Sequence, residues 1–306
     1  MRQRLGELRL LLITGKGGVG RTTMAAAAGL AAARGGSQVL LTEVGEPDAG
    51  YSHLGQQFGQ EQLTASPLEV APGLRICTLS AREGHESFLR AVLPVPALAK
   101  AALRSKAVRK FLNAVPSFHE MGIFYHLLSL LRLKKKDGTP KHDLIIVDMP
   151  ASGHTLALTG LPMTLLKLIP EGPISSELLA GMALIHDPER SAAWVVTLPE
   201  VLPVSECLEL IDGLVETHVP VGGVVLNRLP ENPFTDEERS ALEPLLAQAP
   251  LYGKLAFDRI PATRRALQRL TDAIDLPLTV VQEFSCQASA ILEAIALDLQ
   301  QRPEAG

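Results

Sequence analysis

Apolar residues along the chain fall into two alternating patterns. Short runs with few polar interruptions recur: "LRLLLIT" from Leu8, "QVLLTE" from Gln38, "LRICTL" from Leu74, "DLIIVD" from Asp143, "AAWVVTL" from Ala192, "VGGVVLN" from Val221 and "LYGKLAF" from Leu251. Such runs are what strands covered on both faces require. Between them apolar residues return every three or four positions, as from Thr22 to Arg34, Pro203 to Thr217 and Thr235 to Gln248, and this period predicts helices. Strand then helix, repeated, predicts an α/β fold: a doubly wound, mostly parallel sheet flanked by helices, with right-handed crossovers.

The longest interval between predicted strands runs from Ala81 to His142. It contains "ESFLRAVL", "PALAKAALRSKAVRKFLNAV" and "PSFHEMGIFYHLLSLLRL", all of helical period, and predicts a helical insertion over residues 82–142. The run "LKKKDGTPKH" that closes it reads as a solvated turn, with Asp137-Gly138 and Pro140 marking the bend before the next strand.

Composition narrows the class. Hydrophobic residues make up 46% of the 306 positions but aromatics only 4%, so the core must be built from Leu, Val, Ile and Ala. A net charge of -4 gives no footprint for nucleic acid. The three cysteines, Cys77, Cys207 and Cys286, lack a C-x-x-C or a His at ligand spacing, which predicts neither a disulfide framework nor a zinc site and fits a cytoplasmic protein. The first unbroken apolar run, Leu10 to Ile13, is too short for an export signal. No segment approaches the roughly 18–20 apolar residues needed to cross a bilayer, so direct membrane insertion is not expected.

The chemistry concentrates in "GKGGVGRTT", which follows the first strand. Gly15, Gly17 and Gly20 satisfy G-x-G-x-x-G, and Glu43 closes the next strand where a dinucleotide-binding protein keeps its ribose-binding acid. Equally, Gly15 to Gly20 followed by Arg21-Thr22 satisfies the phosphate-cradling G-x-x-x-x-G-K-[ST] with one substitution. A dinucleotide loop wants small uncharged residues against the pyrophosphate, whereas this one carries a cation inside, another at its end and then two hydroxyls. That combination favours a triphosphate with a metal. Backbone N–H groups of the loop and the positive end of the helix starting near Arg21 would form the anion site, with Thr22 placed for Mg²⁺. In "DLIIVDMPASGHT", a second motif, an apolar strand ends on Asp148, placed to hold Mg²⁺ through water.

These residues resemble a known family. "GKGGVGRTT" resembles the deviant Walker A loop of the signal-recognition/MinD-type P-loop class, and "DMPASGHTLAL" resembles the switch II segment, D-x-x-x-x-G-H-T-L, of arsenical-pump ATPases and tail-anchored-protein targeting ATPases. "VVTLPEVLPVSECLELIDGL" and "VGGVVLNRL" are similar to that family's post-switch strand and helix and its adenine-binding strand. The resemblance implies a single P-loop ATPase domain over residues 1–306, with ATP and Mg²⁺ as cofactors. It implies nucleotide binding by Gly15, Lys16, Gly17, Gly18, Val19, Gly20, Arg21, Thr22, Thr23 and Asn227, and metal binding by Thr22 and by Asp148 through water. Lys16 and Arg21 become the catalytic cations, Lys16 by reaching across a dimer interface to the partner's phosphates. Asp148, Gly153 and His154 become a γ-phosphate-sensing switch.

Two departures from the pattern bear on activity. Arg21 stands where the loop usually has Lys, keeping the charge on a wider, planar head. After the second predicted strand, "LLTEVGEPDAGYSH" offers no Asp in the register that would orient the attacking water, though Glu43, Glu46 and Asp48 lie close in sequence. The expected function is therefore ATP hydrolysis in a nucleotide-sandwich homodimer, or heterodimer with a paralogous ATPase, that drives a conformational switch. An alternative is a hydrolysis-deficient, nucleotide-gated partner subunit. A further alternative is an NAD-dependent oxidoreductase.

Overall fold

A computed structural model of the chain describes residues 5–46, 50–92, 118–151, 160, 172–248, 253–284 and 288–301. Its strands are β1 (Leu10–Gly15), β2 (Val39–Val44), β3 (Leu68–Ala71), β4 (Leu74–Leu79), β5 (Leu144–Asp148), β6 (Ser191–Thr197), β7 (Val221–Leu229) and β8 (Leu278–Gln282). The described helices are α1 (Arg21–Arg34), α2 (His53–Gln57), α3 (Ala81–Val92), α4 (Phe118–Leu131), α5 (Pro173–Ile185), α6 (Val201–Glu216), α7 (Asp236–Gln248), α8 (Lys254–Ala273) and α9 (Ala288–Gln301).

The strands form one sheet in the order β3-β4-β2-β5-β1-β6-β7-β8. Every neighbouring pair is parallel except the β3–β4 edge hairpin. Side chains alternate faces along each strand, and both faces are apolar. Leu10, Leu12, Ile145, Val147, Ala193 and Val195 enter one core with α4, α5, α6 and α8. Leu11, Ile13, Ile146, Trp194 and Val196 enter a second core with α1 and α9. The strand runs read as continuous because both sides are covered. Alanine does the corresponding work in α1: Met24 to Ala33 are all buried, and its small side chains let the helix lie close between the sheet and α9.

Two expectations are corrected at the C-terminal end. The run "LYGKLAF" is not a strand: Gly253 caps α8, which begins at Lys254, and Leu251 and Tyr252 lie outside the described residues. The residues that α8 buries, Phe257, Ile260, Thr263, Ala266 and Leu270, follow a helical period, and that period outweighs the short apolar run at its start. The last strand lies instead at Leu278–Gln282, on the sheet's edge.

Of the predicted 82–142 insertion, residues 93–117 lie outside the described residues. The two described helices, α3 and α4, cross at Gly84 and Gly122, where a Cβ on Gly84 would lie 1.6 Å from the Gly122 carbonyl oxygen. The crossing is held further by a hydrogen bond between His85 Nε2 and the Phe118 carbonyl at 2.6 Å and by the Ser80 N–H donating to His126 Nδ1 at 3.1 Å. Gly84→Ala must push two backbones apart and is expected to destabilise the fold by about 2–4 kcal/mol, read as a lower midpoint in urea. An unchanged midpoint would mean that the helices do not cross there. The turn before β5 is formed as expected, with Asp137 Oδ1 accepting from Thr139 N and Thr139 Oγ1.

Candidate functional site

β1 is flanked by β5 and β6, so the loop that leaves its C-terminal end emerges between theirs. In this loop Lys16, Gly17 and Gly18 are exposed, while Val19 is buried and pins the turn to the core. Gly20 is the N-cap of α1, with φ 96°. A side chain there is excluded twice: by the left-handed backbone, and by Asn227 Nδ2, which a Cβ would approach to 2.3 Å. α1 has neither a side-chain cap nor an acidic residue in its first turn. The positive end of its backbone dipole thus meets no cap or acid from the helix's own first turn, a setting in which an anion is stabilised.

Thr22, in the first turn of α1, donates from Oγ1 to Asp148 Oδ2 at 2.6 Å. Asp148 ends β5 and lies opposite Ile13 of β1 and Glu43 of β2 in register. It is 8% exposed, and its Oδ1 has no hydrogen-bond partner. Burial pushes the Asp148 carboxyl up to about 6, countered by the Thr22 hydrogen bond and by the Arg21 charge and reinforced by Glu43. A buried carboxylate oxygen without a partner is costly unless a cation or donor meets it. The donor set, one hydroxyl and a carboxylate with a spare oxygen, is hard and oxygen-only, and it fits Mg²⁺.

The Arg21 guanidinium donates to the backbone carbonyl of Met149, the first residue beyond β5. Burial lowers the Arg21 pKa, and Asp148 partly offsets the effect. Lys16 Nζ pairs with Glu206 Oε1 of α6 at 2.6 Å. Asn227, near the end of β7, donates from Nδ2 to the Val19 carbonyl at 2.8 Å, and its Oδ1 accepts from Arg228 N at 3.0 Å. The structure therefore ties Asn227 to the loop itself. Thr23 lies half-buried beside Thr22, and Gly15 closes β1 against Val196.

Of the predicted switch, Asp148 is placed, while Gly153 and His154 lie outside the described residues. Among the acids near β2, Glu43 accepts from Leu54 N at 3.0 Å and so holds the first turn of α2, Glu46 is exposed, and Asp48 lies outside the described residues. Burial pushes the thiols of Cys77 and Cys207 up to about 12, so neither is poised as a thiolate ligand. No described helix is long and apolar enough to cross a membrane. Glu206 and the Met149 and Val19 carbonyls carry no mark in the sequence, because each contact is set by strand order.

A strand, a glycine loop and a helix at the centre of a mostly parallel sheet, with an acid ending the adjacent strand, define an α/β protein with the P-loop nucleoside-triphosphatase fold. Residues 8–172 match the anion-transporting ATPase family, and the chain belongs to it. The chain is 30% identical to ATPase BagA of Mycobacterium tuberculosis over 230 residues, covering 74% of this chain and 66% of that protein. It is 28% identical to an arsenical pump-driving ATPase of Escherichia coli over 266 residues, covering 85% of this chain and 41% of that protein. The matched stretch thus falls short of these relatives' full length.

Proposed function

We propose that this chain binds Mg²⁺-ATP in the loop between β1 and α1 and hydrolyses it as one half of a nucleotide-sandwich dimer, using the cycle to drive a conformational switch. The observation that carries the proposal is the Thr22–Asp148 contact at 2.6 Å, with the unpartnered Asp148 Oδ1 beside the uncapped start of α1. The backbone N–H groups from Gly17 to Thr22 and the Arg21 guanidinium hold the phosphates. Thr22 Oγ1 and Asp148, the latter through water, hold Mg²⁺. When bound, the metal neutralises charge on the phosphate oxygens. Lys16 stabilises charge in the partner's site. The segment beginning at Asp148 reports the nucleotide state, because Met149 and its successors leave β5 beside the metal acid.

A second reading, a partner subunit that binds ATP without turning it over, is favoured by one observation: Arg21 is engaged with the Met149 carbonyl rather than free over the loop. Titration with Mg²⁺-ATP, following oligomeric mass and phosphate release together, tests both. The expected result is a doubling of mass and steady phosphate release, each requiring Mg²⁺. Assembly without release favours the partner subunit, and absence of ATP binding overturns both readings.

A further inference from the structure

The Lys16–Glu206 pair joins the cation inside the glycine loop to a helical residue 190 positions further along the chain, and it is brought about by the β1–β6 pairing. Lys16 is 50% exposed and Glu206 20%, so the carboxylate is the more fixed partner and the lysine the mobile one. Glu206 itself is held by its surroundings. Its neighbours Val204 and Cys207 are buried in the core, and Ser205 accepts from Arg269 of α8 at 2.8 Å, fixing this turn of α6. One turn earlier Val201 and Leu202 are 59% and 67% exposed, so the start of α6 presents apolar side chains to solvent.

We propose that Glu206 is a positioning residue for Lys16: it docks the lysine on its own subunit until a nucleotide phosphate competes for the ammonium. The inference rests on the functional reading above, in which Lys16 serves the partner's site. A half-exposed pair is weak enough to be displaced by a polyphosphate, which carries several negative charges, yet strong enough to bias the lysine. Docking therefore does two things. It raises the ATP concentration needed for assembly, and it keeps the loop from engaging a second copy without nucleotide. Which copy Lys16 serves is then decided by whether phosphate is present.

Glu206→Gln keeps the shape and removes the charge. The expected result is a half-saturating Mg²⁺-ATP concentration for dimer formation about two- to fivefold lower than in wild type, the range set by an exposed ion pair. The unfolding midpoint without nucleotide should fall only by the small amount that one half-exposed ion pair supplies, whereas a merely structural role for the pair would leave the Mg²⁺-ATP requirement for assembly unmoved. Glu206→Asp, which shortens the reach but keeps the charge, should fall between the two. Equal midpoints for wild type and Glu206→Gln, with Lys16→Ala still impairing phosphate release, would overturn the docking role alone. A wild-type chain that neither assembles with nor hydrolyses Mg²⁺-ATP would overturn the functional reading, and the docking role with it.

Discussion

Asp148→Asn is expected to lower Mg²⁺-dependent phosphate release by about 10²-fold or more, the scale on which removal of one charged group from a phosphoryl-transfer site is felt. The same exchange should also change the pH dependence of stability, and this second effect needs no nucleotide. The Asp148 carboxyl is moved from 3.8 to about 6 by burial. Between those pH values the folded chain holds a proton that the unfolded chain has released. Stability is accordingly fully present below pH 3.8 and is lost as the pH rises through about 6, by about 3 kcal/mol at most. The buried histidines act in the opposite direction over an overlapping range, His142 among them, its pKa lowered to about 4 chiefly by burial. Burial lowers the pKa of His85 and His126, so stability falls as the unfolded chain takes up protons below about pH 6.5. The difference between wild type and Asp148→Asn, measured by urea unfolding at several pH values, isolates the carboxylate. That difference should run between pH 4 and 6 and be flat above. A parallel pair of curves would mean that Asp148 carries no burial penalty, and the case for a cation there would fall.

That penalty is a reason for the acid to be functional rather than structural. A cation near Oδ1 would relieve it, so Mg²⁺-ATP should stabilise the wild-type chain more at pH 7 than at pH 4.5, where the carboxyl is mostly protonated.

The parts of this arrangement that the sequence disclosed are those encoded by neighbours in the chain. β1, β2, β4, β5, β6 and β7 are legible because each is buried from both sides and therefore written almost wholly in apolar residues. The edge strands are not. β3 and β8 each have one neighbour, and "LEVA" and "LTVVQ" carry polar residues that blur the pattern. Thr22 and Asp148 were each legible from a local motif, one at the start of a helix and one at the end of a strand. Their 2.6 Å contact follows once β5 is known to lie beside β1. The partners of Lys16, Arg21 and Asn227 had no such marker. They lie 190, 128 and 208 positions away, and two of the three are backbone carbonyls, which any residue supplies. Strand order, which periodicity leaves open, decides them.

Arg21→Lys is expected to raise kcat by about tenfold or more, with a smaller change in affinity for ATP. Arg21 stands at the position where a P-loop places a lysine over the phosphates, but its planar fork reaches the Met149 carbonyl at the exit of β5. That contact commits the guanidinium to a backbone carbonyl at the exit of β5, from which a phosphate must win it. A lysine carries one compact ammonium with three rotatable donors and can follow a phosphoryl group as charge develops on it. Misplacement of a catalytic charge by about 1 Å is enough to cost on the order of 10²-fold, so a tenfold gain is within reach of the exchange. Arg21→Ala should instead weaken ATP binding by about 10- to 100-fold, the loss of a charge-assisted contact to phosphate. Affinity by equilibrium binding and kcat by steady-state phosphate release separate the two variants. If Arg21→Lys binds Mg²⁺-ATP and still releases no phosphate, the arginine is not what limits turnover. The absence of an Asp in register after β2 then becomes the deciding feature, because Glu43 is already committed to α2, and the chain acts as the nucleotide-gated half of an assembly whose chemistry belongs to its partner.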